Sequence, residues 1–490
     1  MNTFHRNIVL LAIAFISLVM HYNHFSKDII SFHVWRQTQT QTNIINFYEG
    51  EMNIFNPQRN ERADGNGIYR MEFPLMQWGV ACAYKVFGNH IIVTRICMFI
   101  IGLFSVLGMY KLLMGFFQNI NIALIGAWTF SFSPSFYYYI INPLPDNFAL
   151  CCSIWGIALF LQWHRNKQIY YLVLSGIFLC IGTLCKLPFL LYYAIPFTYF
   201  LFYAYENGIN KLLISRFFGL FSFFIIPAIW YIIVIPQWSG NGIVLGMMDN
   251  AFSIVTILDY MQHNLFSTLP ELLINYGSVL FFLAGFYFLY KNKAYKNSLF
   301  LPILVWSISV LSYFIFEINM IEKVHDYYLF PFYPLIFLLI SYGAYHFFLI
   351  NSRYTKALAI LLFLILPLTC YLRMQDRWDL ENPGFNKDLL VYKNDLRKAV
   401  PKNALVVVGN DNSPSVFFYY VDKKGWYFKE DQLTAKQLEH MIYKGAQYLY
   451  TDSRQVEENV KPLLDSLIME RGSIKVFKIK KSKTEISALL

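Results

Sequence analysis

Apolar runs close to 20 residues long alternate with short polar connectors from residue 7 to residue 371. A helix needs about 20 consecutive apolar residues to cross the hydrocarbon core of a bilayer, so runs of this length predict membrane spans. They fall at 7–23, 91–114, 119–140, 147–163, 169–185, 187–205, 213–235, 273–290, 298–316, 327–349 and 355–371. The pattern predicts a polytopic α-helical membrane protein with about eleven transmembrane helices. Only Lys186 divides the fifth span from the sixth, interrupting a nearly continuous apolar stretch from 169 to 205.

The connectors orient these spans. With the N-terminus in the cytoplasm, the cytoplasmic connectors are "HRNKQ" (164–168), "ENGINK" (206–211), "KNKAYKN" (291–297) and "NSRYTK" (351–356), each basic or weakly basic. On the other side, "NPLPD" (142–146) and "EINMIEKVHD" (317–326) carry no positive excess. Basic residues collect on the cytoplasmic side of membrane proteins. Three extracytoplasmic pieces follow: the loop 24–90, a segment near 236–272 holding Trp238, Asp249, Asp259 and His263, and the chain from about 372 onward. The opening "MNTFHRNIVLLAIAFISLVM" is basic, then apolar, with no evident small-residue cleavage site. It reads as an uncleaved first span rather than a signal peptide.

Within the long loop, "FPLMQWGVACAYKVFG" at 73–88 is too short to cross and is expected to lie in the interface or re-enter. Beyond 372 the pattern changes. "NALVVVGND", "GAQYLYTD" and "SIKVFKIKK" read as short strands, and "TAKQLEHMIYKG" as an amphipathic helix closed by Gly445. The expected division is a membrane domain over 1–371, including the outer loop 24–90, and a small C-terminal extracytoplasmic α/β domain over 372–490.

Composition agrees: 57% of residues are hydrophobic and 14% charged, against about 25% charged in soluble domains. The net charge of +10 does not point to nucleic acid, because the basic residues are scattered among connectors where they set topology. The seven cysteines lie in or beside apolar stretches without metal-ligand spacing, which assigns them to packing.

Ionisable residues in spans or at their ends are costly and ask for a reason. On the outer side they are His33, Arg36, Asp64, Arg70, Glu72, Arg95, Asp146, Lys186, Glu317, His325 and Asp326. A cavity holding both cations and carboxylates near the outer headgroups suits a lipid phosphate and a polar acceptor. The cations neutralise the phosphate, and a carboxylate takes the acceptor's proton. Plainer readings stand beside this one. His33 and Trp35 serve equally as interfacial loop residues, Arg36 and Arg70 as loop charges, and Glu72 and Asp146 as helix caps. Lys186 and Arg95 reach headgroups by snorkelling, and His325 and Tyr328 open a span.

"HVWRQTQTQTNIINFYEGEMNIFNPQ" followed by "GIYRMEFPLMQW" resembles the first outer loop of bacterial family-39-like glycosyltransferases. These form the polyprenyl-phosphate-sugar-dependent, multi-spanning GT-C class that includes protein mannosyltransferases and the lipid A aminoarabinose transferase. "NPLPDNFAL" (142–150), "GTLCKLPFL" (182–190), "HDYYLFPFYPLIFLL" (325–339) and "KKGW" (423–426) extend the resemblance over nearly the whole chain. It implies a GT-C-like fold in a bacterial inner membrane, with the active site at the outer face under the first loop. In that class an acidic residue three positions before an arginine of the first loop acts as base or metal ligand. Here His33 stands three before Arg36. Either the histidine takes the base role, which its ordinary pKa allows, or a carboxylate comes from elsewhere. Glu72 is the favoured replacement, and Asp146 matches a second acidic position at the outer end of a later span.

The reading is an inverting glycosyltransferase with Glu72, Asp146 and His33 as candidate catalytic groups. Arg36, Gln37, Arg70, Arg95, Lys186, His325 and Tyr328 are its candidate substrate contacts. The expected partners are a polyprenyl-phosphate-linked sugar donor, a lipid, glycan or protein acceptor, and membrane lipids, but not nucleic acid. No cofactor is assigned, and a divalent metal is left open. The alternatives are a polysaccharide ligase or polymerase with a diphosphate donor, a lipid-linked-sugar transporter or flippase, and a catalytically dead scaffold. A transporter is expected to show repeat symmetry and polar groups near the bilayer midplane. The polar residues here stand near one end of their spans.

Overall fold

The computed structural model describes residues 3–62, 65–238, 253–410 and 413–480; Asp64 and Asp249 lie outside them. The chain forms two compact units. One comprises Met1–Ser26, Met71–Met76 and Thr94–Gln375, the other Lys27–Arg70, Gln77–Val93 and Asp376–Leu490. Most of the outer loop, which the sequence grouped with the spans, thus falls in the unit that contains the C-terminal region.

The first unit is helical. Among the described residues, six helices are long and apolar enough to cross a bilayer: Phe4–His24, Ile91–Phe117, Leu187–Asn207, Lys211–Gln237, Asp326–Phe348 and Arg353–Trp378. The bent pair Ile254–Ile274 and Tyr276–Lys291 brings this to seven. The eleven expected runs are all helical, but several are cut short. Pro134 splits the run at 119–140 into helices Ile120–Ser131 and Pro134–Tyr139, because proline is tolerated in the first turn of a helix and not in its interior. Helices Ile169–Cys185 and Phe300–Phe316 are also shorter than a full span.

Packing ranks these helices. Within the apolar window of Asp326–Phe348, 78% is buried, against 17% for Phe4–His24 and 22% for Lys211–Gln237. Leu11, Phe15, Ile232 and Leu364 face outward, as side chains do against lipid. Helices Tyr276–Lys291 and Asp326–Phe348 cross on two glycines. A Cβ at Gly343 would come within 2.0 Å of the Phe281 carbonyl oxygen, and one at Gly285 within 2.4 Å of the Leu339 carbonyl oxygen. Small residues permit this approach of backbones. The bent pair turns by 108° at Asn275, whose φ is 68°. Its amide donates to the Phe132 and Leu366 carbonyls and accepts from Thr369. The Asn275 side chain is thus satisfied within the protein, as polar groups at irregular backbone in the membrane must be.

The second unit is built on a five-stranded sheet of order β2-β1-β3-β5-β4, with β1 at Leu405–Val408, β2 at Lys424–Tyr427, β3 at Tyr448–Thr451, β4 at Leu464–Arg471 and β5 at Ile474–Ile479. Strands β2, β1 and β3 are parallel, while β5 pairs antiparallel with β3 and β4. Alternation along β1 buries Val406 and Val408 with Leu396, Phe417 and Tyr420 on one face, and Val407 with Trp426, Leu438 and Leu449 on the other. The expected helix appears as Ala435–Tyr443, started by a capping box between Thr434 and Gln437. Gly425 of β2 exchanges backbone bonds with Asn60 and Arg62 of the outer loop, which covers an otherwise open sheet edge. Asp28 of the same loop is paired with Lys393 and accepts from the Tyr419 hydroxyl. The short run at 73–88 forms the helix Leu75–Phe87.

Candidate active site

Helix ends place the polar groups of the first unit. Helix Pro145–Asn166 opens with a proline, whose fixed φ suits that position, and carries Asp146 in its first turn. A carboxylate there is favoured by the helix dipole. Helix Ile169–Cys185 stops because Lys186 takes an extended backbone, and a tight helical segment, Leu187–Tyr193, follows. The two helices approach closely at Gly182, where a Cβ would lie 2.4 Å from Ser153 Oγ. That approach brings Lys186 Nζ to 3.4 Å from Asp146 Oδ1, with side chains 13% and 2% exposed. The ammonium also sits 5.1 Å from the centre of the Tyr328 ring, within cation–π range.

The end of a helix leaves carbonyls without intrahelical partners. Here the Leu184 carbonyl accepts from the Phe73 N–H at 2.9 Å and the Tyr231 hydroxyl at 3.0 Å. The Trp230 indole donates to the Met71 carbonyl at 3.1 Å, and its ring meets Phe73 edge-on. These contacts clamp residues 71–76, the segment that carries Glu72. The carboxylates of Glu72 and Asp146 both act electrostatically on the Tyr231 hydroxyl.

On the opposite flank, the Tyr313 hydroxyl donates to the Tyr328 carbonyl at 3.1 Å and feels both Glu317 and Asp146. Burial pushes the Glu317 carboxyl up to about 7. Burial also holds the His325 imidazole below its ordinary value, against the opposing pull of the Glu322 and Asp326 carboxylates. Asp326 is enclosed, accepting from the Tyr139 hydroxyl at 2.7 Å and from Ser135 Oγ, so it ties this turn to helix Pro134–Tyr139. Glu72, Asp146, Lys186, His325 and Tyr328 are thus gathered in one unit around the Asp146–Lys186 pair. Arg95 is fully buried in the same unit and donates to Asn142, the first residue of the turn that ends in Asp146.

The other expected residues belong to the second unit. His33 precedes helix Val34–Glu49 in a left-handed conformation, φ 54°, and its ring packs edge-on against Phe32 at 4.1 Å. Such a backbone is costly for a residue other than glycine. Buried Arg36 donates to Gln39 at 2.6 Å, and buried Gln37 to the Phe32 carbonyl at 2.8 Å. Arg70 donates to the Phe55 carbonyl and Asn56, which pins the loop. Tyr231 and Tyr313 were not singled out from the sequence. Two tyrosines among 36 carry no mark of their position. Among the described residues no group of three or more His, Cys, Asp or Glu side chains converges to hold a metal ion.

Residues 72–232 match the family described as dolichyl-phosphate-mannose-protein mannosyltransferase. That segment holds Glu72, Arg95, Asp146, Lys186 and Tyr231. The structure of ArnT from Cupriavidus metallidurans bound to undecaprenyl phosphate is similar at a TM-score of 0.66 and 11% identity, covering 97% of this chain and 98% of that one. The Archaeoglobus fulgidus oligosaccharyltransferase in its apo form gives 0.60 at 14% identity, covering 92% and 70%. Arabinofuranosyltransferase AftD from Mycobacteria gives 0.60 at 10%, covering 98% and 42%. No curated protein matches the sequence significantly. At such identities the likeness defines a fold, and that fold is GT-C. The family match over 72–232 covers about a third of the chain and is to a family of membrane glycosyltransferases.

Proposed function

We propose that the protein transfers a sugar from a polyprenyl monophosphate to a hydroxyl of a lipid, glycan or protein acceptor at the extracytoplasmic face of the bacterial inner membrane, inverting the anomeric centre. The observation that carries this is the enclosed Asp146–Lys186 pair beside the clamped segment bearing Glu72. Glu72 takes the proton of the acceptor hydroxyl as its oxygen attacks the anomeric carbon. The bond from that carbon to the phosphate oxygen breaks, and polyprenyl phosphate leaves with both electrons. Lys186, oriented by Asp146 and the Tyr328 ring, neutralises the charge that develops on the leaving oxygen. Arg95, in the same unit, remains a candidate for a further phosphate contact. The basic cytoplasmic connectors support this orientation.

The test is turnover of a radiolabelled polyprenyl-monophosphate sugar by the purified protein in nanodiscs, with the diphosphate-linked sugar in parallel. Transfer from the monophosphate donor, lost in Glu72→Gln, is the expected result. Turnover of the diphosphate donor alone would replace this reading with a ligase or polymerase. Full turnover in Glu72→Gln would remove Glu72 as the base.

A further inference from the structure

The connections of the second unit's sheet reverse direction at β1. The chain leaves β1 through helix Val416–Val421 to reach β2 on one side, then returns through helix Ala435–Tyr443 to β3 on the other. Beyond the carboxyl ends of parallel strands, such a reversal opens a crevice, and α/β sheets bind ligands there. This sheet has one. A cavity of about 570 Å³ is lined by Asn410 just past β1, Asp452 immediately after β3, and Trp35, Phe385, Asn386 and Phe417. Its size falls in the range of small-molecule sites.

Asp452 is the unexplained group. Its Oδ2 accepts from the Asn386 amide at 2.8 Å, and the backbone amides of Asn410 and Asp452 face the carboxylate, whereas its enclosed Oδ1 makes no well-formed hydrogen bond. An enclosed acceptor left unmet is destabilising, and a ligand donor relieves it. Asn386 is fixed by a second bond to Ser473 and by capping Asp388. Asn410 is fixed by exchanging bonds with Asp431. The polar rim is therefore preorganised. Burial pushes the Asp452 carboxyl up, and the hydrogen bond from Asn386 and the nearby backbone amides oppose it. The described lining contains no Lys or Arg, which disfavours a phosphate. It offers aromatic faces instead, including the half-exposed Trp35. Aromatic walls, amides and one hungry carboxylate oxygen fit a ligand with apolar ring faces and many hydroxyls.

We propose that this crevice is a subsite for a neutral, hydroxyl-rich oligosaccharide belonging to the acceptor. In it Asp452 Oδ1 accepts from a sugar hydroxyl and Trp35 stacks on a ring face. The assignment to an acceptor rests on the transferase reading above, but binding itself does not.

The test uses the full chain in nanodiscs and neutral hexose di- and trisaccharides as probes, followed by saturation-transfer NMR. Inorganic phosphate serves as the anionic control. The wild type binds a neutral oligosaccharide, and Asp452→Asn weakens it about tenfold or more with the protein still monodisperse. Trp35→Phe retains binding better than Trp35→Ala. Absence of oligosaccharide binding, equal affinity in Asp452→Asn, or displacement of the sugar by phosphate would overturn the proposal. Donor turnover by the wild type is measured separately. Turnover without oligosaccharide binding sinks the crevice alone, and Asp452-dependent binding without turnover sinks the transferase reading alone.

Discussion

The Asp146–Lys186 pair separates a structural from a chemical role for charge. At 3.4 Å and an effective dielectric constant near 20, the attraction is about 5 kcal/mol. It is opposed by the desolvation of two ions whose side chains are 2% and 13% exposed. Net stabilisation by such a pair is small, but removing one partner strands the other and costs about 3–5 kcal/mol. Asp146→Asn and Lys186→Met should therefore each lower the unfolding midpoint in detergent. The double change removes both charges and should restore most of the stability. The two single effects then fail to add by about 3 kcal/mol or more. Transfer behaves differently. If Lys186 neutralises the leaving phosphate, the stable double variant stays inactive, and its affinity for the monophosphate donor falls with that of Lys186→Met. The measurement pairs thermal unfolding of detergent-purified protein with sugar transfer from a labelled donor. Simple additivity of the two destabilisations would refute the pairing. Wild-type transfer by the double variant would refute the chemistry and leave a lysine that only holds two helices together.

Other expectations follow from the same geometry. Glu72→Gln keeps the clamp at residues 71–76, which is made by backbone, Trp230 and Tyr231, so it should fold normally while transfer falls about 10²–10⁴-fold, the usual share of a general base. Glu317, with a native pKa of about 7 against 4.5 for an ordinary glutamate, binds more protons folded than unfolded between those values. Stability should therefore fall as pH rises from about 4.5 through 7 and level off above. Glu317→Gln should abolish that slope and be the more stable protein at pH 8, which unfolding midpoints across pH will show. Gly343→Ala puts a methyl 2.0 Å from the Phe281 carbonyl oxygen. Forcing those helices apart should cost about 1–3 kcal/mol, read as a lower midpoint and less monodisperse protein.

Much of the architecture was legible because the bilayer and the sheet each impose a period. Apolar runs gave helices throughout 1–371, and alternation gave β1, β3, β5 and the helix after Thr434. Two strands were invisible for physical reasons. Strand β2 is four residues, "KGWY", with a glycine whose pairing comes from the distant loop residues Asn60 and Arg62. Strand β4, "LDSLIMER", is largely exposed at the sheet edge and so carries no alternation. Hydropathy alone does not register where a proline such as Pro134 divides an apolar run into two helices. Of the site, Lys186 announced itself by interrupting an apolar stretch. Asp146 was also named, but its pairing with Lys186 was not legible, because that depends on the close passage of two helices at Gly182, a tertiary fact.

The location of the polar groups has a common cause. Hydrocarbon tolerates no unsatisfied backbone or isolated charge, so ionisable side chains are confined to helix ends, where water and headgroups begin. Those ends are also where carbonyl and amide groups lack intrahelical partners. In the first unit both facts meet at one place. Pro145 starts a helix and positions Asp146, and another helix ends before Lys186, where Pro188 has no N–H to offer the Leu184 carbonyl. That carbonyl in turn captures Phe73 and Tyr231, and so fixes the segment carrying Glu72. The helix break that presents the cation thus also leaves free the acceptor that anchors the segment carrying the carboxylate. Lys186→Leu should therefore leave the clamp intact, because the clamp needs only the break in the helix. A variant that lets the helix run on, such as Lys186→Ala with Pro188→Ala, should loosen 71–76 as well. Hydrogen exchange at the Phe73 amide distinguishes them: protection retained in the first and lost in the second. Equal protection in both would show that the segment is held by Trp230 alone and that this link between helix break and site is wrong.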